Sequence, residues 1–380
     1  MQAVSEVDMF KNAFRLPLRL LGIPLYLDVT FLIILPLLAW LIGSQLGPFI
    51  ELAELPIDPE PLTEGSTPYL LGLYAALALF VSVVIHELGH AVTARLYGVE
   101  TERITLWLLG GMAHFKEMPK QRGGEAVVAI AGPITSFGLG VLCLLGLQFV
   151  PTEMGGLYFV VVYTMYMNFL LAIFNLLPAL PLDGGRVLRS LLALKMSHVR
   201  ATEVSAGISR FLAIALGLFG LLSFNLFLIL IAFFIYIAVT AETRYALFTE
   251  TLSKFDVNSL MSSPVATMSP EITVGEALDR MFAEARLAYP VQGASGEFVG
   301  VIDIDRLRER GSTEQIGAVM GPPPESVSAG SAANELFDLM VKEEHPRVLV
   351  IGAGGEVVGI VTKTDLIRAL QIAGAGFGRR

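Results

Sequence analysis

Apolar and polar positions alternate along this chain in long blocks rather than residue by residue. Six apolar blocks stand out, near Val29–Ile42, Tyr69–Tyr97, Glu125–Val150, Leu157–Pro178, Thr202–Leu222 and Asn225–Thr243. A helix needs about 20 residues to cross a hydrocarbon core, so each block predicts a transmembrane helix. The first is short and is expected to extend backwards through the apolar Leu20–Leu27. From Phe211 to Val239 the apolar run is almost unbroken, too long for one helix and short for two. The fifth helix must therefore recruit residues 202–210, bringing Arg210 within or near the membrane, with Ser223-Phe224-Asn225 as the turn. After Thr243 the pattern changes to short apolar runs around glycine, separated by segments of helical period, which reads as α/β.

Composition agrees with the membrane setting. Hydrophobic residues make up 54% and charged residues 16%, with a mean hydropathy of +0.66, outside the range of an ordinary soluble domain. Lys and Arg are missing from Leu20 to Ala94, Gly123 to Gly185 and Phe211 to Thr243. Basic residues stay on the cytoplasmic side, so each silent stretch leaves the cytoplasm and returns. Both termini are then cytoplasmic, in a multi-pass protein of the cell membrane. Acidic Glu6 and Asp8 precede the first apolar run, unlike a cleavable signal peptide. The single Cys143 excludes a disulfide framework within a monomer. No basic stripe with aromatics suggests nucleic acid.

One apolar block carries chemistry. From Leu70 through Ile85 the phenol of Tyr74 is the one ionisable side chain, and then His86-Glu87-Leu88-Gly89-His90 follows. On a helix the two histidines share a face, about 6 Å apart, and can hold one Zn²⁺ with Glu87 beside it as general base. An ionisable group inside a membrane costs several kcal/mol and marks function by default. A catalytic zinc takes three protein ligands. After the fourth block, Asn175-Leu-Leu-Pro178-Ala-Leu-Pro181-Leu-Asp183-Gly-Gly-Arg186 puts the Asp183 carboxylate on the cytoplasmic side. Read alone, Asp183 is as well explained as a helix cap.

Together these segments resemble the site-2 protease family of intramembrane zinc metalloproteases, over about Leu20 to Thr243. The resemblance rests on HELGH at 86–90, Leu109-Gly-Gly-Met-Ala113, Ala131-Gly132-Pro133 and the Asn175 to Gly185 motif. It implies that His86, His90 and Asp183 bind zinc. It also makes Asn175 a candidate for contacting substrate or the tetrahedral intermediate. Many relatives carry Asn where this chain has Ser136, a departure expected to touch packing more than chemistry. Arg103 to Gly110 is rich in strand formers, with Gly110-Gly111 read as the turn after it. Its exposed edge, with Leu106 at its centre, is expected to pair with an unwound substrate. His114 reads as a loop histidine rather than a further ligand.

Two units recur in the last third. Val257-Asn-Ser-Leu-Met261 is like Ile316-Gly-Ala-Val-Met320, and Gly296-Glu-Phe-Val-Gly-Val-Ile-Asp303 is like Gly355-Glu-Val-Val-Gly-Ile-Val-Thr362. This repeat of about 60 residues resembles tandem cystathionine-β-synthase (CBS) domains. The resemblance implies that Thr362 and Asp365 hold the ribose and phosphates of ATP, ADP or AMP. Asp303 and Arg306 in the first unit leave its site altered. Modules that only dimerise remain the alternative.

The expected architecture is thus a polytopic α-helical membrane protein, with about six transmembrane helices and a small membrane-associated β element, followed by a cytoplasmic α/β tandem CBS domain. The expected domains are 1–250 and 251–380, the latter with units at about 257–311 and 316–372. The expected activity is zinc endoproteolysis of single-span membrane proteins, modulated by adenine nucleotide, in a possible homodimer through the CBS units. A CBS-regulated transporter or channel, and a proteolytically inactive membrane-protein binder, are the other readings.

Overall fold

The computed structural model describes residues 13–108, 110–116, 121–252, 255–308, 310–341, 347–354, 356–366 and 368. They divide into two compact units, Met1–Ala246 and Leu247–Arg380.

The first unit opens with a hairpin, not with a helix. Strands β1 (Phe14–Leu20) and β2 (Ile23–Leu27) pair antiparallel. Leu21 and Gly22 both have positive φ, 53° and 89°, as a two-residue turn matched to strand twist requires. The expected backward extension of the first span through Leu20–Leu27 is therefore corrected. Asp28 is the reason helix starts only after it. Its side chain accepts from Thr30 N at 2.9 Å, capping helix α1 (Val29–Ser44), while its own N–H donates to the carbonyl of Leu106 in the sheet.

Helix α1 bends by 54° into α2 (Leu46–Leu52), and a single turn, α3 (Glu60–Thr63), leads into α4 (Thr67–Leu96). At 30 residues, α4 is about 45 Å long. It lies so close to α1 that a side chain on Gly72 would enter the backbone of Ala39. Then come β3 (Thr101–Trp107) and β4 (Gly110–Phe115). The helices α5 (Gly124–Gly146), α6 (Gly155–Asn175), α7 (Asp183–Ala193), α8 (His198–Leu222) and α9 (Leu226–Leu252) complete the run. Helix α6 stops at Asn175, three residues before the expected end, because Pro178 disfavours helix in the residue before it.

Among the described residues, four helical segments are long and apolar enough to cross a membrane: Thr67–Leu96, Gly124–Phe149, Gly155–Asn175 and His198–Leu222. Counting the bent pair α1/α2 as one span makes five. Six were expected; the sixth falls on α9, and the turn before it is at Ser223-Phe224, where Phe224 has φ 51°.

The sheet order is β1-β2-β3-β4, with β2 and β3 parallel and β3 and β4 antiparallel. Leu25, Ile104 and Leu106 pack from it against Phe31 on α1 and Phe80, Val83 and Val84 on α4. The sheet is thereby fixed against the helix that carries HELGH.

The second unit has two small sheets. In the first, α11 (Val274–Ala283) packs with the antiparallel pair β5 (Ala288–Gln292) and β6 (Phe298–Asp303), followed by α12 (Ile304–Leu307). In the second, α14 (Ala333–Val341) accompanies β7 (Ser326–Ser328), β8 (Arg347–Ile351) and β9 (Val357–Thr362). The repeats exchange their leading segments. Ile316 and Val319 of α13 (Ile316–Val319) sit in the first core with Tyr289 and Ile302, and Val301 bridges to Gly321. In return α10 (Val257–Leu260) is bonded from Val257 N to Ser331 O at 3.0 Å, and Ser262 bridges to Ile360.

Candidate metal centre

Helical spacing puts His86 and His90 on one face of α4, both buried, with rings nearly perpendicular at a centroid distance of 4.8 Å. Asp183, 97 residues beyond His86, reaches them as the first residue of α7, at 6% exposure. His86 Nε2 and His90 Nε2 lie 3.2 Å apart, and each is 3.2 Å from Asp183 Oδ2. An equilateral triangle of that edge is what zinc makes. Bonds of about 2.0–2.1 Å in a tetrahedron imply ligand–ligand distances of about 3.3–3.4 Å.

Hydrogen bonding explains where the lone pairs point. His90 Nδ1 is 2.8 Å from the carbonyl oxygen of Val128 on α5. A carbonyl only accepts, so Nδ1 carries the proton and neutral His90 turns a bare Nε2 toward the triangle. His86 Nδ1 is 2.9 Å from Ser136 Oγ, a hydroxyl with no solvent exposure. The donor set, two imidazoles and a carboxylate, suits zinc and leaves a fourth position open. Space matters equally: a Cβ on Gly132 would stand 2.7 Å from His86 Nε2 and closer still to His90.

Ser136 corrects an expectation. It hydrogen-bonds a histidine of the triangle directly, so it does more than fill space between the helices. No spacing along the chain signals it, because the contact runs between two helices. The Ser136→Ala variant should bind zinc about 10-fold more weakly, read by competition with a chromogenic chelator; unchanged affinity would contradict this role.

Glu87 lies beside the triangle on the next position of α4. Its Oε2 accepts from the Ala113 N–H of β4 at 3.0 Å. The carboxylate therefore links α4 to the sheet's free edge.

The sheet order overturns the expected role of Leu106. Strand β3 is paired on both sides, and Leu106 is 4% exposed. Residues expected to be helix became β2 and took that edge, so the free edges of this sheet, among the described residues, are β1 and β4. The chain turns at Leu108, and Gly110 and Gly111 already belong to β4. His114 is likewise on β4, not in a loop. It pairs with Thr105 Oγ1 at 3.1 Å, and burial, reinforced by the Arg103 charge, pushes its imidazole down to about 4. It lies outside the metal-ligand triangle.

Asn175 ends α6 with its amide donating to Leu171 O at 3.0 Å, a bond within its own helix. Thr362 and Asp365 meet: the hydroxyl donates to Asp365 Oδ2 at 2.6 Å, and Ser262 Oγ donates to Oδ1 at 3.1 Å. In the first of the two repeats Asp303 accepts from Arg306 N at 3.0 Å.

Residues 74–155 and 150–216 match Peptidase family M50, and residues 257–312 and 316–372 match the CBS domain. A zinc metalloprotease of Methanocaldococcus jannaschii is 34% identical over 355 residues, 93% of this chain and 95% of its own. A Synechocystis protein provisionally named a zinc metalloprotease is 31% identical over 379 residues, 94% of this chain and 95% of its own. Among solved structures, the site-2 protease from Methanocaldococcus jannaschii shares 34% identity at a TM-score of 0.43, covering 61% of this chain and 95% of that one. Apolar helices enclosing a His-His-Asp triangle, with a glutamate alongside, define a zinc metalloprotease of the membrane-embedded kind. The chain belongs to peptidase family M50, the site-2 proteases, and carries a tandem CBS pair.

Proposed function

We propose that this protein is an intramembrane zinc endopeptidase that cuts the transmembrane segments of single-span membrane proteins, with its protease in residues 1–250 and its nucleotide sensor in residues 251–380. The observation that carries the reading is the triangle of three ligand atoms at 3.2 Å, set in the C-terminal half of α4 with Glu87 beside it. His86, His90 and Asp183 are its ligands. When bound there, zinc supplies Lewis acidity toward water and a scissile carbonyl. Glu87 takes the proton of the attacking water and passes it to the leaving amine. Because Glu87 Oε2 is bonded to Ala113 N–H, the base is anchored to β4, and the free edge of β4 is where an unwound substrate pairs. Unwinding is required, since helical amides bury the scissile bond in their own hydrogen bonds. Asn175, at the end of α6, contacts substrate or the tetrahedral intermediate, while Leu106 is a core residue that holds the sheet. The N- and C-termini face the cytoplasm on the charge pattern.

The test is cleavage of a single-span substrate by the reconstituted full chain. A zinc chelator should abolish cleavage and added zinc restore it. Cleavage that survives complete metal removal would end the metalloprotease reading.

The CBS pair is read as an adenine nucleotide sensor, binding ATP, ADP or AMP at Thr362 and Asp365 and pairing with a second copy. The Asp365 carboxylate, which accepts from Ser262 and Thr362, would accept from ribose hydroxyls when nucleotide binds. Added AMP or ATP should change the cleavage rate, and the Asp365→Ala variant should lose that response. A wild-type rate indifferent to both nucleotides would contradict sensing.

A further inference from the structure

Arg189 is a buried guanidinium, 6% exposed. Its Nε donates to Glu125 Oε1 on α5 at 3.0 Å, Nη2 donates to the same oxygen, and Nη1 donates to Glu242 Oε1 on α9 at 2.8 Å. Glu125 Oε2 is also 3.8 Å from His198 Nε2 at the start of α8. Four helices meet at this cluster.

Buried ion pairs are poor sources of net stability, because desolvation offsets the attraction; fixing register is their best-attested use. Two arms of this cluster lead to the metal site. Arg189 is on α7, whose first residue is Asp183. Glu125 precedes Val128 by three residues on α5, and the Val128 carbonyl orients His90. Glu125 and His90 also line one small cavity, with Phe115, Val128, Ala129 and Arg186. A second bond, from Ala126 N to Ser190 Oγ at 3.2 Å, holds α5 and α7 together beside Arg189. The third arm is Glu242, on the helix that continues to Leu252, beyond the boundary between the two units at Ala246 and Leu247.

We propose that Arg189 is a positioning residue of the metal site, holding α7 and its Asp183 against the two histidines, and that Glu242 makes helix α9 part of this setting, so that movement of α9 is felt at Asp183. The inference rests on the metal reading given above.

The test uses the full chain loaded with Co²⁺, whose visible bands report ligand geometry. Glu242→Gln keeps the shape of the side chain and removes its charge. It should shift the bands and weaken Co²⁺ binding about 10-fold, the low end for partners outside the ligand set. Glu203→Gln, at the exposed Arg200 pair, should leave both as in wild type. A role limited to stability would lower the unfolding temperature of Glu242→Gln without moving the bands, and that result overturns the proposal. Where the Gln variant does not fold, Glu242→Asp, which keeps the charge but retracts it, should still weaken Co²⁺ binding several-fold; wild-type affinity there overturns the proposal equally. Wild-type protein that binds no Co²⁺, or Asp183→Ala protein that binds it as well as wild type, defeats the metal reading itself and this inference with it.

Discussion

The Glu87→Gln variant is expected to lose cleavage by about 10³-fold, within the range that a positioned general base contributes, while keeping its zinc. The two outcomes separate because Glu87 stands beside the triangle and is not one of its corners. Glutamine has nearly the same shape, and its amide oxygen can still accept from Ala113 N–H, the bond now made by Oε2 at 3.0 Å. It cannot accept the proton of water. His86, His90 and Asp183 are untouched by the change. Metal content by atomic absorption and cleavage of a single-span substrate by gel shift decide the matter together. Equal cleavage by both proteins would remove Glu87 from the chemistry; loss of zinc as well would make it a structural support of the site.

The Gly132→Ala variant is expected to lose zinc and cleavage although every donor atom remains in the chain. The added methyl would stand 2.7 Å from His86 Nε2 and nearer to His90 Nε2 and Cε1, well inside the contact distance of about 3.5 Å. Both imidazoles are held from behind, by Ser136 Oγ and by the Val128 carbonyl, so neither can retreat without breaking that bond. We expect zinc affinity to fall about 100-fold, the upper end for changes outside the ligand set, with helix content by circular dichroism unchanged. Wild-type zinc affinity in this variant would mean that the triangle tolerates opening. The experiment thus tests geometry apart from donor chemistry, which replacing a histidine cannot do.

Much of the protein was legible in its linear pattern because the deciding forces are local. Long apolar blocks must be helices where no water can satisfy the backbone, and four of them stand as expected, with a fifth in the bent pair. Two histidines four residues apart must share a face once the helix exists. The repeated Gly-centred runs of the last third mark β6 in the first CBS repeat and β9 in the second. The misreading at Leu20–Leu27 has a physical reason. Apolar residues next to a spanning helix suit a buried strand equally well, and the choice was made by the Leu21-Gly22 turn, the Asp28 cap and an unfilled edge on β3. Leu106 was misplaced for the same cause, since an edge is free or filled only in the assembled sheet.

By itself, then, the sequence determined the helices, the His86 and His90 pair with Glu87 between them, and the two CBS repeats, because each follows from spacing along one element or from hydropathy. Asp183 read by its own segment could as well be a helix cap, and only the family resemblance joined it to the histidines; the tertiary structure alone decided how it closes the triangle, that Ser136 and Val128 aim its histidines, that β4 offers the free edge beside Glu87, and that the repeats exchange their leading segments. Each of these joins residues far apart in the chain, through directional bonds and close packing that exist only when whole elements are docked.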